Sequence, residues 1–103
     1  MNDEKLSYLH AIANKIRINA VKAVYYANSG HPGGSLSIAD MLAYLFFEEM
    51  NIDPGDPKKA DRDRFVLSKG HCAPAYYSAL ALRGFFGVDE LKGFRSVDSR
   101  LQG

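Results

Sequence analysis

The sequence carries almost no net charge: 13 basic residues against 12 acidic ones leave +1 over 103 residues. No global field therefore draws the chain to nucleic acid, an anionic membrane or a polyanionic substrate, and any anion it meets is bound locally. Cysteine is nearly absent as well. Cys72 is the only thiol, which excludes an internal disulfide and a four-cysteine zinc site and fits a reducing compartment, so the cytoplasm is the expected location. Long apolar runs are missing too. The start, Met1-Asn2-Asp3-Glu4-Lys5, leads into an apolar pattern broken by His10, Asn14, Lys15 and Arg17, which is neither a signal-peptide core nor a membrane span. Neither repeats nor low-complexity tracts occur. What remains is an ordinary globular composition, 47% hydrophobic, sufficient for one domain with a small core.

From Leu6 onward, Leu9, Ile12, Ala13, Ile16, Ala20, Ala23, Val24 and Ala27 recur at spacings of three and four. That periodicity predicts a long amphipathic helix, capped by Asp3 and stopped by Asn28-Ser29-Gly30. The next stretch, Gly30-His31-Pro32-Gly33-Gly34-Ser35, reads as a loop of fixed shape. Ser37 is expected to cap a second helix through Ile38, Met41, Leu42, Leu45, Phe46 and Glu49, apolar enough to be packed on several sides. Residues 51–64, with Pro54, Gly55 and Pro57, read as an exposed connection, and Phe65-Val66-Leu67 as a brief buried strand. A third helix is predicted over 73–86 with Pro74 in its first turn, followed by a short helix capped by Asp89 through Leu91 and Phe94.

Two histidines sit in matching company. His31 in Ser29-Gly30-His31-Pro32-Gly33 and His71 in Lys69-Gly70-His71 each follow a glycine and precede a helix. Glycine admits a ligand close to the backbone, a helix N-terminus offers free amide donors, and an imidazole there donates to phosphate or polarises a carbonyl. The combination suits a phosphorylated or pyrophosphorylated ligand. A Gly-His pair at such a junction is nonetheless more often a turn histidine satisfied by backbone. Metal-site spacing is lacking even with Asp40 and Cys72 nearby, Cys72 reads as packed and inert, and His10 as a surface residue. Tyr25, Tyr26, Tyr76 and Tyr77 fall at helical positions where partial burial explains them better than base stacking.

Three segments taken together resemble the transketolase family: Ser29-Gly30-His31-Pro32-Gly33-Gly34-Ser35, Arg62-Asp63-Arg64-Phe65-Val66-Leu67-Ser68-Lys69-Gly70-His71 and Ser99-Arg100-Leu101-Gln102-Gly103. Their wording is most similar to the N-terminal polypeptide of bacterial and archaeal transketolases that are split in two. The resemblance implies an α/β fold, a parallel sheet between helices, of which residues 1–103 supply the first helices and about one short strand as part of the pyrophosphate domain. It implies thiamine diphosphate and Mg2+ as cofactors. His71 then lies against the cofactor's diphosphate, Gly34 near the cofactor, and His31 at the reacting carbons of the sugar, where an imidazole stabilises oxygen charge as a C–C bond is cleaved. The implied reaction moves a two-carbon ketol unit from a ketose phosphate to an aldose phosphate, with the cofactor supplying the carbanion chemistry.

The resemblance also implies what this chain lacks. A third active-site histidine and a Gly-Asp-Gly metal motif with a downstream asparagine follow Gly103 in the family, so no metal ligand is assigned here, and the glutamate that activates the aminopyrimidine belongs to the other half of the enzyme. The expected partners are a transketolase C-terminal subunit, sugar phosphates and further copies of the chain, with no nucleic acid or membrane. The isolated chain, read as truncated, is expected to be inactive. Val97-Asp98 stands where many relatives have a leucine-glycine or similar pair. Two other readings stand beside this one: another thiamine enzyme of the superfamily, such as a deoxyxylulose phosphate synthase or a dihydroxyacetone synthase, or a non-catalytic helical interaction module presenting Phe46-Phe47 and Phe85-Phe86 to a partner.

Overall fold

The computed structural model describes residues 2–27, 32–68, 72–94 and 101, and for Pro32 and Gly34 the helical backbone alone. Helix α1 (Asp3–Ala27) forms where the three-and-four spacing predicts it and buries Leu9, Ile12, Ala13, Ile16, Ala20 and Ala23 along one stripe. Its cap is Asn2, not Asp3: the Asn2 Oδ1 accepts from the Lys5 amide at 2.8 Å, while Asp3 is already helical. Tyr25 and Tyr26 lie off the buried stripe and are exposed, 78% and 51%, instead of partly buried.

Helix α2 (Pro32–Tyr44) starts five residues before the expected cap at Ser37 and takes in Gly33, Gly34 and Ser35. The physical reason is Pro32: a fixed φ and a missing N–H suit the first helical position, and the helix then runs through two glycines at modest cost. Ala39, Leu42 and Ala43 are buried, but Met41 is 62% exposed, so α2 is not packed all round.

The helix does not simply end at Tyr44. Residues Leu45–Glu49 widen into a π turn, in which the Met50 amide donates to the Leu45 carbonyl at 2.8 Å. In a regular helix that amide would go to Phe46. Freed from it, the Phe46 carbonyl accepts from Arg83 Nε at 2.9 Å, and the same guanidinium donates to the Ile52 carbonyl at 3.3 Å.

Residues 51–64 are the irregular connection the prolines imply, yet they are closed on themselves. Asn51 and Asp63 exchange bonds: the Asn51 amide donates to Asp63 Oδ2 at 2.6 Å, and the Asp63 amide to the Asn51 carbonyl at 2.8 Å. Lys59 Nζ donates to Asn51 Oδ1 at 2.7 Å, and the Gly55 amide to Asp53 Oδ1 at 2.9 Å. Satisfying its own polar groups lets such a loop hold shape on a surface.

The expected strand at 65–67 is absent: among the described residues no strand occurs, and Val66 is 86% exposed. A strand exists only with a paired neighbour, and none occurs among the described residues. The apolar run acts instead through Phe65, whose ring meets Phe46 and Tyr76, each at 5.3 Å between centroids.

Helix α3 (Ala73–Arg83) stops three residues before the expected end, at Gly84, whose φ of 110° places it in the left-handed region. The Gly84 amide donates to the carbonyls of Leu80 and Ala81, and the Phe85 amide donates back to Leu80, so the last carbonyls are covered. The final helix is a 3-10 turn, Val88–Gly93, without a side-chain cap from Asp89. Leu91 and Phe94 nevertheless point inward as expected and join Ala23, Ala73, Ala81 and Leu101 in a second core cluster.

Contacts fix the helix directions. Lys5 meets Glu48 at 2.9 Å and Arg17 meets Asp40 at 2.8 Å, so α1 runs antiparallel to α2. Both pairs are exposed and worth little in energy, but they record the register. Helices α2 and α3 are parallel: Ser35 contacts Ala75 at one end and Phe46 contacts Arg83 at the other. The main core lies between the three helices, around Ile16, Leu42, Phe46, Ala75 and Ala79. Phe46 is thus a core residue, and Phe47, Phe85 and Phe86 are half-buried, so the expected exposed phenylalanine surface is not formed. Among the described residues no helix is long and apolar enough to cross a membrane.

Phe46→Ala removes a ring that is 3% exposed and in contact with both Phe65 and Tyr76. The expected loss is about 3–5 kcal/mol in a urea titration. A loss under about 1 kcal/mol would place Phe46 outside the core.

Two phenols titrate late. Tyr44 donates to Glu49 Oε2 at 3.0 Å, and that bond, together with the carboxylate charge, raises its pKa above the ordinary 10.0. Burial, and then Tyr77, raise that of Tyr76. In both the folded state holds the proton more tightly than the unfolded chain does, so their contribution is complete below pH 10.0 and is lost as pH rises through the higher folded values. Absorbance titration of Tyr44→Phe and Tyr76→Phe is each expected to lose one late-ionising phenol, and an unchanged late phase in either variant contradicts the assignment.

Candidate functional site

Helices α2 and α3 begin at one end of the molecule, each just after one of the glycine-histidine pairs singled out in the sequence. Helix α2 starts at Pro32, one position after His31, and Cys72 caps α3 one position after His71. His31 and His71 themselves, with Ser29, Gly30, Lys69 and Gly70, lie outside the described residues. Gly34 lies within the first turn of α2. A Cβ built on the neighbouring Gly33 meets nothing within 4 Å, so the outer face of that turn is open.

These helix starts are adjacent because of one buried bond. Ser35 Oγ accepts from the Ala75 amide at 3.1 Å, across 40 positions of sequence, and both residues are fully buried. Ala75 sits at the third helical position of α3, where the amide has no partner within its own helix. The Cys72 side chain makes no capping bond, and Pro74 has no N–H to satisfy. Within α3 the Ser78 hydroxyl donates to the Pro74 carbonyl at 2.7 Å. With both helices pointing their N-termini the same way, the positive ends of two dipoles lie side by side. Such an end favours an anion.

Sequence reasoning named Ser35 only as part of a motif and placed the cap of α2 at Ser37. No local signal could have done better, since the partner amide belongs to a different helix. Cys72 is buried and free, as its reading as a packed thiol requires. His10 is exposed, as expected, beside a small apolar cleft between α1 and α2 lined by Leu6, Leu9, Asp40 and Tyr44. Asp40 faces Arg17 and not Cys72. Among the described residues no group of three His, Cys, Asp or Glu side chains is arranged to hold a metal ion.

Geometry and sequence together define a helical unit with paired helix N-termini, each preceded in sequence by a glycine-histidine pair. A family model described as transketolase, thiamine diphosphate binding domain, matches residues 9–103. The chain belongs to that family. Human transketolase is 42% identical over 102 residues, which is 99% of this chain and 16% of the human protein. The 6-deoxy-6-sulfo-D-fructose transketolase subunit SqwG of Clostridium sp. (strain MSTE9) is 46% identical over 91 residues, 88% of this chain and 33% of that subunit. Among solved structures, transketolase from Leishmania mexicana superposes with a TM-score of 0.85 at 41% identity, covering 91% of this chain and 14% of the other. A transketolase mutant from Pichia stipitis gives 0.86 at 43% identity, with 92% and 14% covered. The chain therefore spans about one-sixth of the human relative and one-third of the bacterial subunit.

Complete burial of Cys72 leads to a direct test. In the folded protein the thiol is expected to resist a bulky disulfide reagent and to react fully in denaturant. Rapid labelling under native conditions contradicts a packed Cys72.

Proposed function

We propose that residues 1–103 form the opening part of the pyrophosphate domain of a thiamine-diphosphate transketolase, an α/β domain whose parallel sheet is completed by chain beyond these residues. The observation that supports the reading is the Ser35–Ala75 bond, which joins the starts of α2 and α3 at one end of the molecule. In this reading His71 donates a ring N–H to the diphosphate, and the open first turn of α2 around Gly33 and Gly34 gives that group room to approach the backbone. His31 faces the substrate, where its imidazole stabilises charge on oxygen as the C–C bond is cleaved.

Thiamine diphosphate supplies the nucleophile and electron sink for transfer of a two-carbon ketol unit from a ketose phosphate to an aldose phosphate. The residues present fit its charged end: two helix N-termini of like direction, a glycine-rich turn and no carboxylate between them in the sequence of either turn. The accompanying Mg2+ takes its protein ligands from outside these residues. SqwG, named as a transketolase subunit, supports a partner polypeptide. In this reading that partner supplies the C-terminal half, and such pairs assemble into a homo-oligomer. A single buried thiol agrees with work in the reducing cytoplasm. Residues 1–103 by themselves are inactive in this reading, because the residues that hold metal and activate the cofactor ring are assigned elsewhere in the enzyme.

The test combines binding and complementation. Calorimetry with thiamine diphosphate is expected to show binding that His71→Ala weakens by about 10- to 100-fold, the value of a hydrogen bond to a charged group. His31→Ala is expected to leave cofactor affinity unchanged. In an assay with a transketolase C-terminal subunit and the missing N-terminal remainder, His31→Ala lowers two-carbon transfer by about 100-fold or more. Equal binding by His71→Ala, or two-carbon transfer by the chain with a C-terminal subunit alone, sinks this reading.

A further inference from the structure

Helix α3 has a capping problem that its own sequence does not solve. The amide at its third helical position needs an acceptor, a role that the side chain of the preceding cap residue commonly fills. Here that residue is Cys72, which makes no such bond. Ser35 fills the role from another helix: its hydroxyl oxygen sits 3.1 Å from the Ala75 nitrogen, with both residues at 0% exposure. The cap of α3 and the first turn of α2 are thus one structural element.

We infer that Ser35 is a positioning residue: by capping α3 from within α2 it sets the spacing between the starts of the two helices, and so the grip of their paired N-termini on a diphosphate. The distance claim stands on the Ser35–Ala75 contact alone, while the diphosphate clause rests on the function proposed above. Capping a helix with a residue of its own loop would satisfy the amide equally well but would leave the two helix starts free to slide. A hydroxyl carried on α2 couples them, because the bond is kept only at one separation. The alanines around it make that separation small: Ala39, Ala43, Ala75 and Ala79 are all at 0–1% exposure where α2 and α3 meet the core. At the far end Arg83 ties α3 to the Phe46 carbonyl, so loss of Ser35 opens the pair at the helix starts and not throughout.

The spacing can be read without any ligand. Nitroxide labels at Gly33→Cys, in the first turn of α2, and Ser68→Cys, ahead of α3 in sequence, in a Cys72→Ala background, report the separation; both positions are exposed, and a side chain at Gly33 meets no atom within 4 Å. Pulsed dipolar spectroscopy is expected to give a narrow distance distribution that broadens or shifts in Ser35→Ala. Ser78→Ala is the control, since it removes a buried hydroxyl whose bond to Pro74 stays inside α3, and it is expected to leave the distance unchanged. Affinity for inorganic pyrophosphate, compared at equal folded fraction by circular dichroism, is expected to fall about tenfold in Ser35→Ala and to stay unchanged in Ser78→Ala. Hydrogen exchange of the Ala75 amide in the unaltered chain serves where Ser35→Ala does not fold. Protection like that of the core residues supports the cap, and exchange as fast as an exposed amide overturns it. An unchanged distance in Ser35→Ala overturns the positioning role, as does a changed distance with unchanged pyrophosphate affinity. Failure of the unaltered chain to bind pyrophosphate at all counts against the proposed function, while the distance comparison still decides the role of Ser35.

Discussion

Two parallel helices pinned at both ends are the constraint from which the rest of this structure follows. Helices of like direction place like dipole ends together, an arrangement that is mildly unfavourable by itself and needs specific contacts to hold it. Here Ser35 to Ala75 supplies one pin and Arg83 to Phe46 the other. The second pin depends on a local irregularity, since only the π turn releases the Phe46 carbonyl to receive a guanidinium. A cation against helix C-terminal carbonyls and a hydroxyl against a helix N-terminal amide each meet the charge that their helix end presents. Helix α1, antiparallel to α2, offsets the dipole alignment of the other two and closes the core over Ile16 and Ala20.

Small side chains make this geometry possible. A serine hydroxyl reaches the backbone of a neighbouring helix only when the axes come close, and Ala13, Ala20, Ala39, Ala43, Ala75 and Ala79, each at most 1% exposed, permit that approach. The aromatic side chains Phe46, Phe65 and Tyr76 cluster beside the 51–64 connection. Superposition on transketolases more than six times as long, at TM-scores of 0.85 and 0.86, shows that the segment has the same shape in its larger relatives.

Much of this was legible in the residues. The three-and-four spacing of α1, the first-turn proline of α3, and the loop character of 51–64 are local properties and emerged from local reasoning. Local reasoning also named His31, His71 and Gly34 as site residues, and the two histidines fall outside the described residues. The errors share a cause. Asp3 and Ser37 were reasonable caps by type, but Asn2 stands at the cap spacing, three residues before the Lys5 amide, and Pro32 started α2 early. Phe65-Val66-Leu67 has strand composition, yet composition cannot provide the neighbouring strand that a ladder requires.

What the sequence by itself determined is which stretches are helical, which stripe of α1 is apolar, and which family the motifs belong to, because each of these is written in residues close together along the chain. Tertiary structure alone decided that α2 and α3 run the same way, that Arg83 takes the Phe46 carbonyl, and that Ser35 caps a helix 40 positions away. The reason is physical: a hydrogen bond between distant residues depends on the separation and direction of two helix axes, and those are set by how all the side chains pack at once.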